Sequence, residues 1–128
     1  MNIREVKKSD NSELATLLRK ILIEMGIPDK GTAFDDPEID SIYEAYQSPR
    51  SKYFIVEENN IIKGGAGISQ LKDEAYEICE LQKMYFDSMM RGKGLGSLMN
   101  LILYLSSLNQ NTFFEAHIFH MLHFLIDK

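Results

Sequence analysis

The feature that most constrains this chain is a junction. The run Tyr76-Glu77-Ile78-Cys79-Glu80-Leu81-Gln82-Lys83-Met84-Tyr85-Phe86 leads into Arg91-Gly92-Lys93-Gly94-Leu95-Gly96, beyond which Leu95, Leu98, Met99, Ile102, Leu105 and Ser106 recur at helical spacing. The first segment reads as a strand from Ala75 to Phe86, with the glycine-rich turn directly after it, and the last as a helix that Asn109-Gln110-Asn111 closes. Thr112 to Phe119 reads as one more strand. Strand, loop, helix and strand in that order make a right-handed crossover between parallel strands, so part of the sheet is expected to be parallel and covered by helix.

Upstream, Ile3 to Lys7 alternates as a short strand, and Ser9-Asp10-Asn11-Ser12-Glu13 supplies the capping chemistry of a helix start. Leu14, Leu17, Leu18, Ile21, Leu22 and Met25 form that helix's apolar face, and Gly26 followed by Pro28 ends it. Pro37, after Asp35 and Asp36, opens a shorter helix predicted through about Tyr46, with Ile39, Ile42 and Tyr43 inward and Pro49 as its stop. Lys52 to Glu57 and Ile61 to Gln70 form a predicted hairpin around Glu58-Asn59-Asn60. Its second strand carries Gly64, Gly65 and Gly67, where missing side chains let another backbone or a ligand come close. The fold class is therefore α/β, a mixed central sheet flanked by helices. A single domain over 1–128 is expected, because 128 residues of which 45% are hydrophobic suffice for one core.

Charge and composition exclude several classes. A formal charge of −5 argues against a nucleic-acid partner, whose phosphates need clustered Lys and Arg. No segment approaches the roughly eighteen apolar residues of a membrane span, and the N-terminus lacks a signal-peptide core, so a cytoplasmic protein is expected. The single cysteine, Cys79, has no internal disulfide partner and reads as a small packing residue. Asp35, Asp36, Glu38, Asp40 and Glu44 read as a solvated helix face, with attraction of a cationic acceptor as the alternative.

The loop from Arg91 to Gly96 carries the chemistry. Backbone N–H groups are free at a helix N-terminus, glycines let them approach an anion, and Arg91 and Lys93 add positive charge, which together describe a pyrophosphate site. Its glycine spacing is not the dinucleotide fingerprint, and it lacks the Gly-Lys-Ser/Thr ending of a P-loop.

Cys79 to Phe86 followed by Arg91-Gly92-Lys93-Gly94-Leu95-Gly96 resembles the fourth strand and pyrophosphate loop of the GCN5-related N-acetyltransferases, the GNAT superfamily. Arg91, Gly94 and Gly96 match that family's Gln/Arg-x-x-Gly-x-Gly/Ala motif, and the element order from Ile3 to Gln70 matches its N-terminal half, so the resemblance covers residues 1–108. It implies the acyl-CoA N-acyltransferase fold, acetyl-CoA as co-substrate, no metal, and direct acetyl transfer to a primary amine of a small molecule or protein. It further implies that the backbone of Arg91, Gly92, Lys93, Gly94, Leu95, Gly96 and Ser97 holds the pyrophosphate. Met84, Tyr85 and Phe86 would bind the pantetheine arm and the acetyl carbonyl. Glu80 is the candidate general base, with pairing to a neighbouring Lys or Arg as its structural alternative. Tyr43 and Tyr46 either line the acceptor pocket or pack.

After Asn111 the sequence departs from the family pattern. The tail 109–128 shows no counterpart of the closing helix, its proton-donating tyrosine or the final hairpin, so the C-terminal elements read as incomplete and the general acid is unassigned. A non-catalytic acyl-CoA-binding or interaction domain is the alternative function. The apolar run Phe113 to Ile126 suggests an ending replaced by a frameshift or early stop, or else a segment that covers a sheet edge or pairs two copies into a homodimer. His117, His120 and His123 would fan too widely around a helix for a compact zinc site and read as surface or packing residues.

Overall fold

A five-stranded sheet runs in sequence order through β1 (Asn2–Glu5), β2 (Lys52–Glu58), β3 (Ile61–Gln70), β4 (Ile78–Phe86) and β5 (Phe113–Phe114). The computed structural model describes residues 1–28, 33–70, 78–108 and 113–114. Neighbours from β1 to β4 are antiparallel, whereas β5 lies parallel to β4 through Ile78 opposite Phe113 and Cys79 opposite Phe114. The connection between those two strands is helix α3 (Leu95–Leu108), so the crossover predicted from the junction is present. The start of the long strand at 75–77, the rest of the last predicted strand and the histidine-bearing tail lie outside the described residues.

Helix α1 (Asn11–Glu24) begins where Asp10 collects three donors. Its carboxylate accepts from the Lys7 N–H at 2.7 Å and from both terminal nitrogens of Arg4 at 2.8 and 3.0 Å, while the same guanidinium reaches Glu57 on β2 at 3.2 Å. One arginine thus ties the first strand, the second strand and the helix start. The helix ends in a Schellman motif: with Gly26 at φ +78°, its N–H bonds the Ile23 carbonyl at 2.9 Å, and the Ile27 N–H bonds Leu22 at 3.0 Å. Leu14, Leu17, Leu18, Ile21 and Leu22 are buried as their spacing predicted, packed with Ile39, Ile42, Tyr46, Tyr53 and Ile55.

The predicted helix from Pro37 to Tyr46 is instead a 3-10 turn, Pro37–Ser41, followed by one α-helical turn, α2 (Ile42–Ala45). Ile39 and Ile42 are both buried, and three residues per turn bring residues at that spacing onto the same side. Ser41, at φ −140° and ψ 50°, separates the two turns.

On the other face of the sheet, α3 buries Leu95, Met99 and Leu103 against Val56, Ala66, Ile68, Leu81 and Met84. The sequence reading chose the wrong stripe in part. Leu98 and Leu105 are exposed, and Leu103 takes the inward position. The helix also exposes Leu101 and Tyr104, so it is apolar nearly all round and its periodicity does not single out one face.

The Asp10 knot makes a pH-dependent contribution. Its hydrogen bonds from Arg4, outweighing burial, hold the carboxyl below the usual carboxylate range. Folding therefore favours the ionised form; the stabilisation is complete above the unfolded pKa near 4 and is lost as pH falls through that value and below. Asp10→Asn is expected to cost about 2 kcal/mol at neutral pH. Urea unfolding of both proteins at neutral and acidic pH checks this, with the difference between them shrinking in acid.

Candidate functional site

Strand β4 contains one residue too many for its partner. Gly65 stands opposite Tyr85 and Gly67 opposite Gln82, so Lys83 and Met84 together face Ala66 alone. Lys83 takes a left-handed backbone, φ +49°. Its carbonyl accepts a hydrogen bond from the Tyr53 hydroxyl at 2.9 Å, and its ammonium group pairs with Asp36 at 3.1 Å and Glu38 at 3.5 Å. Tyr53 is fully buried, and burial pushes its phenol up, which keeps it a neutral donor. A Cβ on Gly65 would lie 2.6 Å from Tyr53 Cε1, and one on Gly67 2.6 Å from Tyr53 Cδ2 and 2.7 Å from Tyr46 Cε1. The space those glycines leave is filled by tyrosine rings from the protein itself.

A 3-10 turn, Ser88–Met90, comes between β4 and the glycine loop, which were expected to adjoin. The Asp87 carboxylate caps it by accepting from the Met89 N–H at 3.1 Å, and Arg91 Nε donates to the Phe86 carbonyl at 3.1 Å. Arg91 thereby ties the loop to the end of the strand. Gly92 and Gly94 follow at φ +75° and +76°, conformations that side chains disfavour. Helix α3 then begins, its Leu98 N–H bonding the Gly94 carbonyl at 3.1 Å, so the N–H groups of Leu95, Gly96 and Ser97 precede the first such bond.

Between these elements lies a cleft that opens to solvent. Met84, Tyr85 and Phe86 form one wall, Arg91, Gly92, Gly94, Leu95 and Gly96 one end, and Met90 lies between them. Of the residues singled out for coenzyme contact, Lys93 and Ser97 are exposed and stand outside the lining. Ile21 and Met25 complete the wall from α1, a role the sequence reading missed because both belong to the stripe that builds the core. Among the described residues β5 pairs with β4 only at Ile78 and Cys79. An apolar wall ending in helix N–H groups suits a long, mostly apolar molecule with an anionic end.

Glu80 is half-buried on β4 and accepts from Gln82 Nε2 at 2.9 Å; Gln82 Oε1 in turn accepts from the Tyr46 hydroxyl at 2.8 Å. The expected alternative, a pairing of Glu80 with Lys or Arg, does not occur among the described residues, where its partner is Gln82. Tyr46 is buried, with its ring centroid 5.1 Å from that of Tyr53, and Tyr43 is half-buried against the same core. The acidic segment is partly neutralised from distant parts of the chain, Arg19 pairing with Asp40 and Lys83 holding Asp36 and Glu38, while the neutral Asn11 amide donates to Glu44. Among the described residues no three His, Cys, Asp or Glu side chains group as a metal site would require.

A family model described as the acetyltransferase (GNAT) family matches residues 17–104. The Escherichia coli protein described as uncharacterized N-acetyltransferase YjgM is 39% identical over 101 residues, 78% of this chain and 60% of that protein. The chain thus spans 60% of the length of this curated relative. An acetyltransferase of the GNAT family from Staphylococcus aureus Mu50 superposes with a TM-score of 0.75 at 21% identity, covering 96% of this chain and 78% of that one. A Clostridium acetobutylicum protein described as a predicted acetyltransferase, solved with acetyl-CoA, gives 0.70 at 23% identity, covering 90% and 80%. The mixed sheet flanked by helices is the fold that these structures share with it.

Gly67→Ala tests the crowding beneath β4. With two tyrosine rings inside contact distance of the added methyl, the variant is expected to lose about 1–3 kcal/mol in urea unfolding. Melting like the parent protein's would show that the rings can give way.

Proposed function

The chain belongs to the acetyltransferase (GNAT) family, and from that premise we propose that it is an N-acetyltransferase, moving the acetyl group of acetyl-CoA to a primary amine of a small molecule or protein. One observation carries the reading: a single cleft joins the Met84–Phe86 edge of β4 to the helix N-terminus at Gly92–Gly96. The N–H groups at the start of α3 would hold the pyrophosphate, helped by the helix dipole and by Arg91. The apolar wall from Ile21, Met25 and Met84 would lie along the pantetheine arm.

In the proposed reaction the acceptor nitrogen attacks the thioester carbon, the carbonyl oxygen gains charge, and the C–S bond breaks with the electron pair leaving on sulfur. A backbone N–H in the Met84–Phe86 stretch would stabilise the oxyanion. Glu80 would take the proton that an ammonium group must lose before attack, directly or through water. Its carboxylate is oriented by the Gln82 amide, which Tyr46 fixes from the other side. The comparisons lend no support to the non-catalytic alternative, which predicts coenzyme binding without turnover.

Calorimetric titration with acetyl-CoA is expected to show saturable binding that Gly94→Trp abolishes, because an indole there would fill the space in front of the loop. Glu80→Gln is expected to keep that binding while thiol release in an amine screen falls about a hundredfold or more. A folded parent protein that binds no acetyl-CoA would overturn the proposal, and binding without release for any amine would favour the non-catalytic domain.

A further inference from the structure

We propose that Tyr53 is a positioning residue for acetyl transfer: its buried hydroxyl fixes the plane of the Lys83–Met84 peptide and so aims the Met84 N–H at the thioester carbonyl. The inference rests on the acetyl-CoA reading above and adds to it a residue from β2, two strands away from the cleft wall.

Lys83 and Met84 share the single residue Ala66 opposite them, so the bulge interrupts the regular one-to-one register at this peptide. The Lys83 carbonyl accepts the Tyr53 hydroxyl at 2.9 Å. The chain has no cis peptide among its described residues, and in a trans peptide the N–H points opposite to the carbonyl. A carbonyl turned to Tyr53 beneath β3 therefore directs the Met84 N–H away from β3, and Met84 lines the cleft.

The peptide needs such a restraint. Lys83 has a left-handed backbone at φ +49°, which a side-chain-bearing residue adopts only at a cost. Its ammonium group is anchored on Asp36 and Glu38, but that fixes the side chain and leaves the peptide plane to the phenol. Gly65 and Gly67 give the ring its path, since a Cβ on either would fall 2.6 Å from a Tyr53 ring atom. A hydrogen bond to the carbonyl also polarises the peptide and strengthens its N–H as a donor. The ring alone would fill the core, so the hydroxyl is the part that a packing role does not require.

Tyr53→Phe separates the two roles. Carbonyl-labelled acetyl-CoA bound to the parent protein is expected to show its thioester band at lower frequency in isotope-edited infrared difference spectra than it does free in solution. In Tyr53→Phe the band should move back toward the free position, while the affinity for CoA, which lacks the acetyl carbonyl, changes less than about twofold. A folded variant whose band stays at the parent position overturns the proposal, as does a parent protein that binds acetyl-CoA with the band unshifted. A parent protein that binds neither CoA nor acetyl-CoA removes the acetyltransferase reading together with it. Where Tyr53→Phe does not fold, 3-fluorotyrosine in place of Tyr53 keeps the ring and donates more strongly; the band should then shift further down, and an unchanged band counts against the idea.

Discussion

A strand with an extra residue has to be held in its kink, and in β4 the hold comes from three directions. Tyr53 reaches the Lys83 carbonyl from β2, Asp36 and Glu38 take the Lys83 ammonium from the 3-10 turn region, and the flanking residues keep their register with β3 on either side. The consequences spread along the strand. Leu81 packs toward α3, and strict alternation from it would send Lys83 to the same side and Met84 away. The bulge reverses this: Met84 joins the α3 cluster, Tyr85 joins the α1 cluster, and Lys83 is free to reach the acids. Without the slip a lysine would be pressed into an apolar layer.

Electrostatics follow the same local logic. A formal charge of −5 disfavours a pyrophosphate at a distance, but net charge acts through screened solvent, whereas an anion at a helix start meets N–H groups in contact. Several of the acids are engaged elsewhere. Asp10 and Glu57 share Arg4, Asp40 takes Arg19, and Asp36 and Glu38 share Lys83. In a stretch that looks strongly acidic when read along the chain, Asp36, Glu38 and Asp40 are ion-paired once folded, with bases that the linear sequence places far away.

That contrast marks what could be read from the sequence. The junction at Phe86–Gly96, the buried face of α1 and the hairpin were legible because each depends on neighbours within a few positions: capping residues, apolar spacing and turn chemistry. The face of α3 was not, since apolar residues ring the helix and only tertiary packing selects Leu103 over Leu105. The bulge was missed because Gln82-Lys83-Met84-Tyr85-Phe86 passes for an unbroken strand. The apolar pair Leu81 and Met84, three apart where a strand wants two or four, was its only trace. The glycines of β3 were read as room for an approaching group, which is what they provide: Gly64 meets Phe86 and the Tyr85 carbonyl of β4, while at Gly65 and Gly67 the occupants are side chains from β2 and the segment before it.

Those occupants link the two groups on which the proposed chemistry depends. Tyr46 and Tyr53 lie with ring centroids 5.1 Å apart and tilted at 53°, both packed against the gap at Gly67. One hydroxyl holds the Lys83 carbonyl, and with it the peptide carrying the Met84 N–H; the other holds Gln82, which orients Glu80. Burial raises both phenols above their ordinary range, so each remains a neutral donor at physiological pH. The separation between the candidate oxyanion donor and the candidate base is therefore fixed by the packing of one aromatic pair. Closely packed interiors tolerate little displacement, and a pair of rings locked over two glycines is a stiffer support for a reacting geometry than a loop would be.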